Sequence, residues 1–233
     1  MSQVSGKNAN PFWRRLHHAW LALRGRQRHK SNETRFMDFG RMRCKQVTFP
    51  DSAEAVRVER LLRESAGLAL FPGFLFRLES TAWVQFVPGR SPNPQNGNDL
   101  EAMHRFFVGL YRARPVERKL DETDLHPCLI ARLRLLGEAG RLDAGRVTAL
   151  EALADRLRPE RVWTGLDYID ALAKNFIIGE RGAVGVDIEA IRDCELLGTG
   201  LAKARHRWLG DRADRVVELL AQQGGPPLAQ PCQ

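Results

Sequence analysis

Three polar residues stand out in an otherwise apolar stretch: Asp170, Asn175 five positions on, and Asp187 after a turn. Two carboxylates and an amide are hard oxygen donors, and the carboxylates can also accept a proton. Such a set suits Mg²⁺, which takes one or two carboxylates and leaves the rest of its shell to water and substrate phosphates. The elements that must position them are short. Residues 176–178 and 183–186 are apolar runs separated by Gly179-Glu180-Arg181-Gly182, the pattern of a β-hairpin. The hairpin puts Asn175 at the start of its first strand and Asp187 at the end of its second, with Asp170 on the loop before them. The plainer reading is a hairpin whose polar ends cap strands and turns.

Asp-x-x-x-x-Asn, an apolar strand, a tight turn, a second strand and then Asp resembles the catalytic core of the protein-kinase-like fold. There the catalytic loop H-R-D-x-x-x-x-N precedes a metal-binding Asp. Asp170 falls on the catalytic-loop Asp, Asn175 on its Asn and Asp187 on the metal Asp. Asp187-Ile188-Glu189 is similar to the last motif of the small bacterial lipopolysaccharide-core and aminoglycoside-phosphotransferase-type kinases. The resemblance implies ATP and Mg²⁺ as cofactors. Asp170 would take or orient the proton of an acceptor hydroxyl, and Asn175 and Asp187 would hold the metal. The family's strand lysine, which contacts nucleotide phosphates, would be Lys45. Its glutamate partner on the next helix would be Glu59, with Glu54 and Glu64 as alternatives. Tyr168 and Ile169 stand where protein kinases have His and Arg, and no G-x-G-x-x-G precedes Lys45.

The rest of the chain reads in accord with this plan. Residues 34–48 alternate as two strands turning near Gly40, with Lys45 inside the second. Asp51-Ser52 can cap a helix running to about Ser65. Residues 74–79 and 83–87 form a further strand pair. Val87-Pro88-Gly89 then opens a polar stretch to Asn98, the clearest boundary in the chain. Met103, Phe106, Phe107, Leu110 and Tyr111 share one helical face. Residues 112–119 read as a basic connection, 129–136 and 147–157 as helices, the second capped at Asp143, and 162–164 as a strand. Helices around 196–208 and 213–222 finish the domain, and 224–233 has no means of packing. The expected organisation is α+β and two-lobed. It comprises a basic amphipathic segment (1–30), a lobe of a small antiparallel sheet plus one helix (31–89), a hinge (90–99), a mainly helical lobe (100–223) and a tail (224–233).

The net charge of +8 is unevenly placed: residues 1–45 carry eleven Lys and Arg against Glu33 and Asp38. The basicity belongs to one end and points to an anionic partner surface there. From 12 to 24, Trp13, Leu16, Trp20 and Leu23 recur at helical spacing among basic residues. Two readings stand: a helix on an anionic membrane, engaged through residues 11–30, or one packed on the domain. Nucleic acid is disfavoured, because the basic run 25–30 has no interleaved aromatics. Cys44, Cys128, Cys194 and Cys232 form no metal spacing and read as reduced thiols. No secretory signal or membrane-spanning run is present, which gives a cytoplasmic protein, peripheral on the inner face of the cytoplasmic membrane if the N-terminal helix binds it.

The expected function is therefore an ATP-dependent phosphotransferase acting on a hydroxyl of a sugar or of a glycolipid such as lipopolysaccharide core. With only 46 residues after Asp187, the platform that protein kinases use for protein substrates is missing, which favours a small acceptor. The alternative is a catalytically inactive kinase-like protein that binds nucleotide or a partner, a reading the missing Gly-rich loop supports. A third is an interaction protein that works through its basic first 45 residues.

Overall fold

The computed structural model describes residues 32–39 and 42–228. The amphipathic segment 12–24, and the membrane contact expected of it, lie outside these residues. Two alternating segments separated only by Gly40 and Arg41 form β1 (Glu33–Phe39) and β2 (Met42–Thr48), antiparallel from Glu33 opposite Thr48 to Phe39 opposite Met42. Next comes α1 (Ser52–Glu64), and Asp51 caps it by accepting from the Glu54 N–H at 2.8 Å. β3 (Phe74–Leu78) and β4 (Thr81–Gln85) complete an antiparallel sheet of order β1-β2-β4-β3. Cys44, Val47, Ala82 and Val84 of this sheet are buried, as are Phe49 after β2 and Ala55 and Val58 on α1.

The chain divides into two compact units. Among the described residues the first holds those up to Glu59 with Phe74–Phe86, and the second holds Arg60–Gly73 with those from Val87 onward. Residues 60–73, expected in the N-terminal lobe, group with the second unit for a physical reason. The Leu70 carbonyl accepts from the Gly185 N–H at 2.9 Å, and the Phe71 ring sits 5.9 Å from Phe106 and 6.0 Å from Tyr168.

The second unit is built on α2 (Gly97–Arg112). Asn96 caps it by accepting from the N–H groups of Asn98 and Asp99, so the helix begins inside the expected hinge. The hinge is also tied down. Arg90 bridges Ile178 through the backbone and holds the buried Asp99 carboxylate with two bonds of 2.5 and 2.7 Å. Met103, Phe106, Phe107, Leu110 and Tyr111 are buried on one face of α2, as their three- and four-residue spacing requires.

The expected connection 112–119 contains a strand, β5 (Val116–Lys119), every residue of which is exposed. After α3 (Leu125–Glu138) and α4 (Ala144–Arg156, capped by Asp143), β6 (Arg161–Tyr168) pairs with β5 on one side. The hairpin β7 (Phe176–Gly179) and β8 (Gly182–Gly185) comes next, and β9 (Ile191–Leu196) returns to pair with the other side of β6. β9 displaces the start of the expected helix near Leu196, so α5 is Thr199–Ala204. One π turn, Arg205–Leu209, and α6 (Asp214–Gln222) complete the unit. The tail departs from expectation as far as it is described: Pro226 is buried and Leu228 lies against Gly198. No helix among the described residues is long and apolar enough to cross a membrane. Cys44, Cys128 and Cys194 are free thiols.

Candidate functional site

The site is assembled at the end of β6. Tyr168, its last residue, is buried against Phe106 and Phe176, with ring centroids 5.9 and 5.1 Å away. Contacts of this kind contribute about 0.5–1.5 kcal/mol each beyond the area they bury. They fix a hydroxyl in a place where it must find partners. It donates to the Asn175 carbonyl at 2.9 Å and accepts from the Asp187 N–H at 2.9 Å. The Asn175 carbonyl also accepts from the Val186 N–H at 2.9 Å. One phenol therefore joins the two ends of the hairpin β7–β8, which carry Asn175 and Asp187. Burial is the main reason the phenol's pKa lies well above the ordinary tyrosine value, with the nearby Asp187 carboxylate adding to it, so the group stays protonated and able to donate.

Asp170 is brought to the same place. The Asn175 amide donates to the Asp170 carbonyl at 2.8 Å and to its Oδ2 at 2.9 Å. That use of Nδ2 leaves Oδ1 as the Asn175 oxygen not spent on Asp170. Asn175 is buried, within a single 3-10 turn, Ala173–Asn175, ahead of β7. Asp187 opens the next such turn, Ile188–Ala190, after β8. An amide oxygen and a carboxylate, carried on backbone that one hydroxyl links, are the hard donors that Mg²⁺ takes, so the residues present fit that ion. Among the described residues, no group of three or more His, Cys, Asp and Glu gathers as a metal centre, which leaves the reading to this two-donor set.

The sequence reading missed the groups that hold the loop from behind. Asp167 is buried in β6 and accepts from the Tyr168 N–H at 2.6 Å, the Gly200 N–H at 3.3 Å and the Tyr111 hydroxyl at 3.2 Å. Burial pushes its pKa up to about 6, against those donors, which favour the carboxylate. At Gly200 a Cβ would lie 2.2 Å from the Tyr168 carbonyl, so only glycine lets α5 come this close. Trp208 in the π turn donates from Nε1 to the Ala171 carbonyl at 2.9 Å. Between these two attachments Lys203 donates from Nζ to Asp170 Oδ1. Lys203 is 33 positions from Asp170, and no local pattern announces it. Asp167 had a signal: a carboxylate flanked by the apolar Leu166, Tyr168 and Ile169.

Lys45 and Glu59 belong to the first unit. Lys45 lies in β2, half-buried, opposite Phe36 on β1 and Val84 on β4. Glu59 lies on α1, where its Oε2 accepts from Arg77 Nε at 2.7 Å.

Neither a protein-family model nor a curated protein sequence matches the chain. Solved structures do match its fold. The ternary complex of streptomycin, ATP and APH(2")-IIa aligns with a TM-score of 0.57 and 13% identity, covering 95% of this chain and 85% of that one. A macrolide 2'-phosphotransferase type I gives 0.61 and 11%, covering 99% and 86%. A putative fructosamine-3-kinase from Thermobifida fusca gives 0.56 and 17%, covering 85% and 80%. At such identities the likeness is one of fold: the chain has a protein-kinase-like fold of the aminoglycoside-phosphotransferase type.

Proposed function

We propose that on this protein-kinase-like fold the chain works as an ATP-dependent phosphotransferase with a small-molecule hydroxyl as acceptor. The observation that carries the reading is the joined set Asp170, Asn175 and Asp187, held at one hairpin by the Tyr168 hydroxyl. The phosphotransferases and kinases it resembles in fold are named for small molecules, among them macrolides and fructosamine.

In this reading ATP is the donor substrate. The bond between the γ-phosphorus and the β,γ-bridging oxygen breaks, a bond forms from the acceptor oxygen to that phosphorus, and ADP leaves. The hydroxyl proton passes to the Asp170 carboxylate. Lys45 supplies a cation for the donor phosphates, with Glu59 to position it. Asn175 Oδ1 and the Asp187 carboxylate would hold Mg²⁺, which neutralises charge on phosphoryl oxygens. What remains for the protein is positioning and electrostatics. Among acceptors we favour a sugar hydroxyl, on a soluble sugar or on a glycolipid such as lipopolysaccharide core. The basic residues 1–45 support the glycolipid, since they suit an anionic membrane surface.

A second reading is a protein that binds nucleotide without turnover. It is favoured by the absence of G-x-G-x-x-G before Lys45 and by Asp170, whose two oxygens are both engaged. Thermal denaturation with ATP, with and without Mg²⁺, tests both readings. Ligand at a hundred times its dissociation constant stabilises by about 2.7 kcal/mol, which in a chain of this size raises Tm by roughly 5–10 °C. We expect a rise that needs Mg²⁺ and fades in Asp187→Asn. No rise with any nucleotide would remove both readings. Turnover lost with binding kept in Asp170→Asn selects the first, and binding without turnover in the wild type selects the second.

A further inference from the structure

Lys203 is a half-buried lysine paired with the half-buried Asp170. An exposed ion pair gains little in water, because both side chains lose freedom in forming it. Here the backbone on both sides of the lysine is fixed. Three residues earlier, the Gly200 N–H bonds to Asp167, and a Cβ at Gly200 would strike the Tyr168 carbonyl. Five residues later, Trp208 bonds the Ala171 carbonyl in the loop itself and stands 6.1 Å from the Phe176 ring. The segment that presents Lys203 is thus bolted to the loop that presents Asp170. The interruption of the helix by a π turn at Arg205–Leu209 belongs to the same arrangement, since such turns are frequent at functional sites.

The contact also poses a chemical problem. Asp170 Oδ2 takes the Asn175 amide and Oδ1 takes Lys203. Each oxygen keeps a second lone pair, but an ammonium held on Oδ1 lowers the basicity of the carboxylate toward a hydroxyl proton. The Asn175 bond is part of the loop, whereas the lysine is a flexible stem ending in three donors. Lys203 is therefore the partner that can leave when an anion competes for it. The γ-phosphate of a bound donor is such an anion.

We propose that Lys203 is a catalytic cation that holds Asp170 at rest and moves to a γ-phosphoryl oxygen when the donor binds. The inference rests on the phosphotransferase reading and adds to it a residue that senses the third phosphate. With the lysine gone from Oδ1, the carboxylate is more basic and takes the hydroxyl proton as the acceptor oxygen bonds to phosphorus and ADP departs. The ammonium keeps its protons throughout.

The test compares two nucleotides on one protein. The full chain is titrated calorimetrically in Mg²⁺ with ADP and with the non-hydrolysable triphosphate AMP-PNP, as wild type, Lys203→Met and Lys203→Arg. Loss of one charge-assisted bond should weaken triphosphate binding by about tenfold in Lys203→Met. ADP binding should stay within about twofold, because ADP lacks the group the lysine touches. Lys203→Arg should recover most of the difference. A Lys203→Met protein that binds both nucleotides as the wild type does, or that loses both equally, overturns the inference and leaves the phosphotransferase reading standing. A wild type that binds neither nucleotide overturns that reading and this inference with it. Misfolding lowers both affinities together and cannot imitate the selective loss.

Discussion

At the scale of single residues, the site depends on a hydroxyl that the sequence presents as a departure. In the kinase-like reading Tyr168 takes the place of a histidine, and its ring is buried among Phe71, Phe106 and Phe176. Phenylalanine would keep that packing and remove only the oxygen. The Asn175 carbonyl would retain the Val186 N–H, but the Asp187 N–H would lose the acceptor it has at 2.9 Å. Losing a bond of this kind at a half-buried donor costs about 1 kcal/mol. Tyr168→Phe should therefore unfold at lower urea with the slope unchanged. It should also lose more of the Mg²⁺-dependent ATP stabilisation than of any stabilisation seen without Mg²⁺, because Asp187 is no longer held beside Asn175 at the hairpin's open end. Wild-type stability together with a wild-type Mg²⁺ effect would show that the hydroxyl does not link the two ends in solution.

At the scale of elements, β6 is the organising strand, and its surroundings decided how much could be read from sequence. The hairpin β7–β8 was legible because both strands are short apolar runs around a Gly-flanked turn, and its pairing of Gly179 with Gly182 leaves Glu180 and Arg181 as the loop. The helical face of α2 was legible from its 3.6-residue period. β5 and β9 were not, because they are edge strands held to β6 by backbone bonds, β5 with no buried residue and β9 with Ile191 alone. Val116, Glu117, Arg118 and Lys119 are all exposed and show no alternation. Asp170, Asn175 and Asp187 could be found because their spacing is local. Lys203, Gly200 and Trp208 could not, since it is the return of α5 onto β6 that brings them in. The same junction contains a titrating group. Asp167 has its folded pKa raised to about 6 by burial, above the ordinary carboxylate value of about 4 in the unfolded chain. Below that unfolded value both states are protonated and the buried acid costs nothing. As pH rises toward 6 the unfolded chain ionises first, and stability falls by an amount on the order of 3 kcal/mol, constant above about pH 7. Asp167→Asn does not titrate, so the stability of the wild type relative to this variant should decline between pH 4 and pH 7. A difference that is flat over this range, or that grows with pH, would mean that the Gly200, Tyr168 and Tyr111 donors hold Asp167 ionised throughout.

At the scale of the whole molecule, charge is divided as sharply as structure is. Residues 1–30 carry seven Lys and Arg and no acidic residue, while the chain as a whole is +8, so residues 31–233 together are nearly neutral. A nearly neutral body has no general attraction for an anionic surface, and any such attraction must come through the leading segment. Near a membrane rich in anionic lipid each basic residue contributes about 1 kcal/mol, an interaction that added salt weakens. The intact chain should therefore sediment with vesicles containing phosphatidylserine or phosphatidylglycerol at low ionic strength. It should not sediment with pure phosphatidylcholine vesicles, and it should be released by salt. A chain lacking residues 1–30 keeps every element from β1 to α6, and it should keep its Tm and its stabilisation by Mg²⁺ and ATP while losing the vesicles. Vesicle binding that survives the deletion would sink the membrane part of the reading and with it the preference for a glycolipid over a soluble sugar. Loss of nucleotide stabilisation on deletion would instead make the segment part of the folded body, the packing alternative that its Trp13, Leu16, Trp20 and Leu23 spacing also allows.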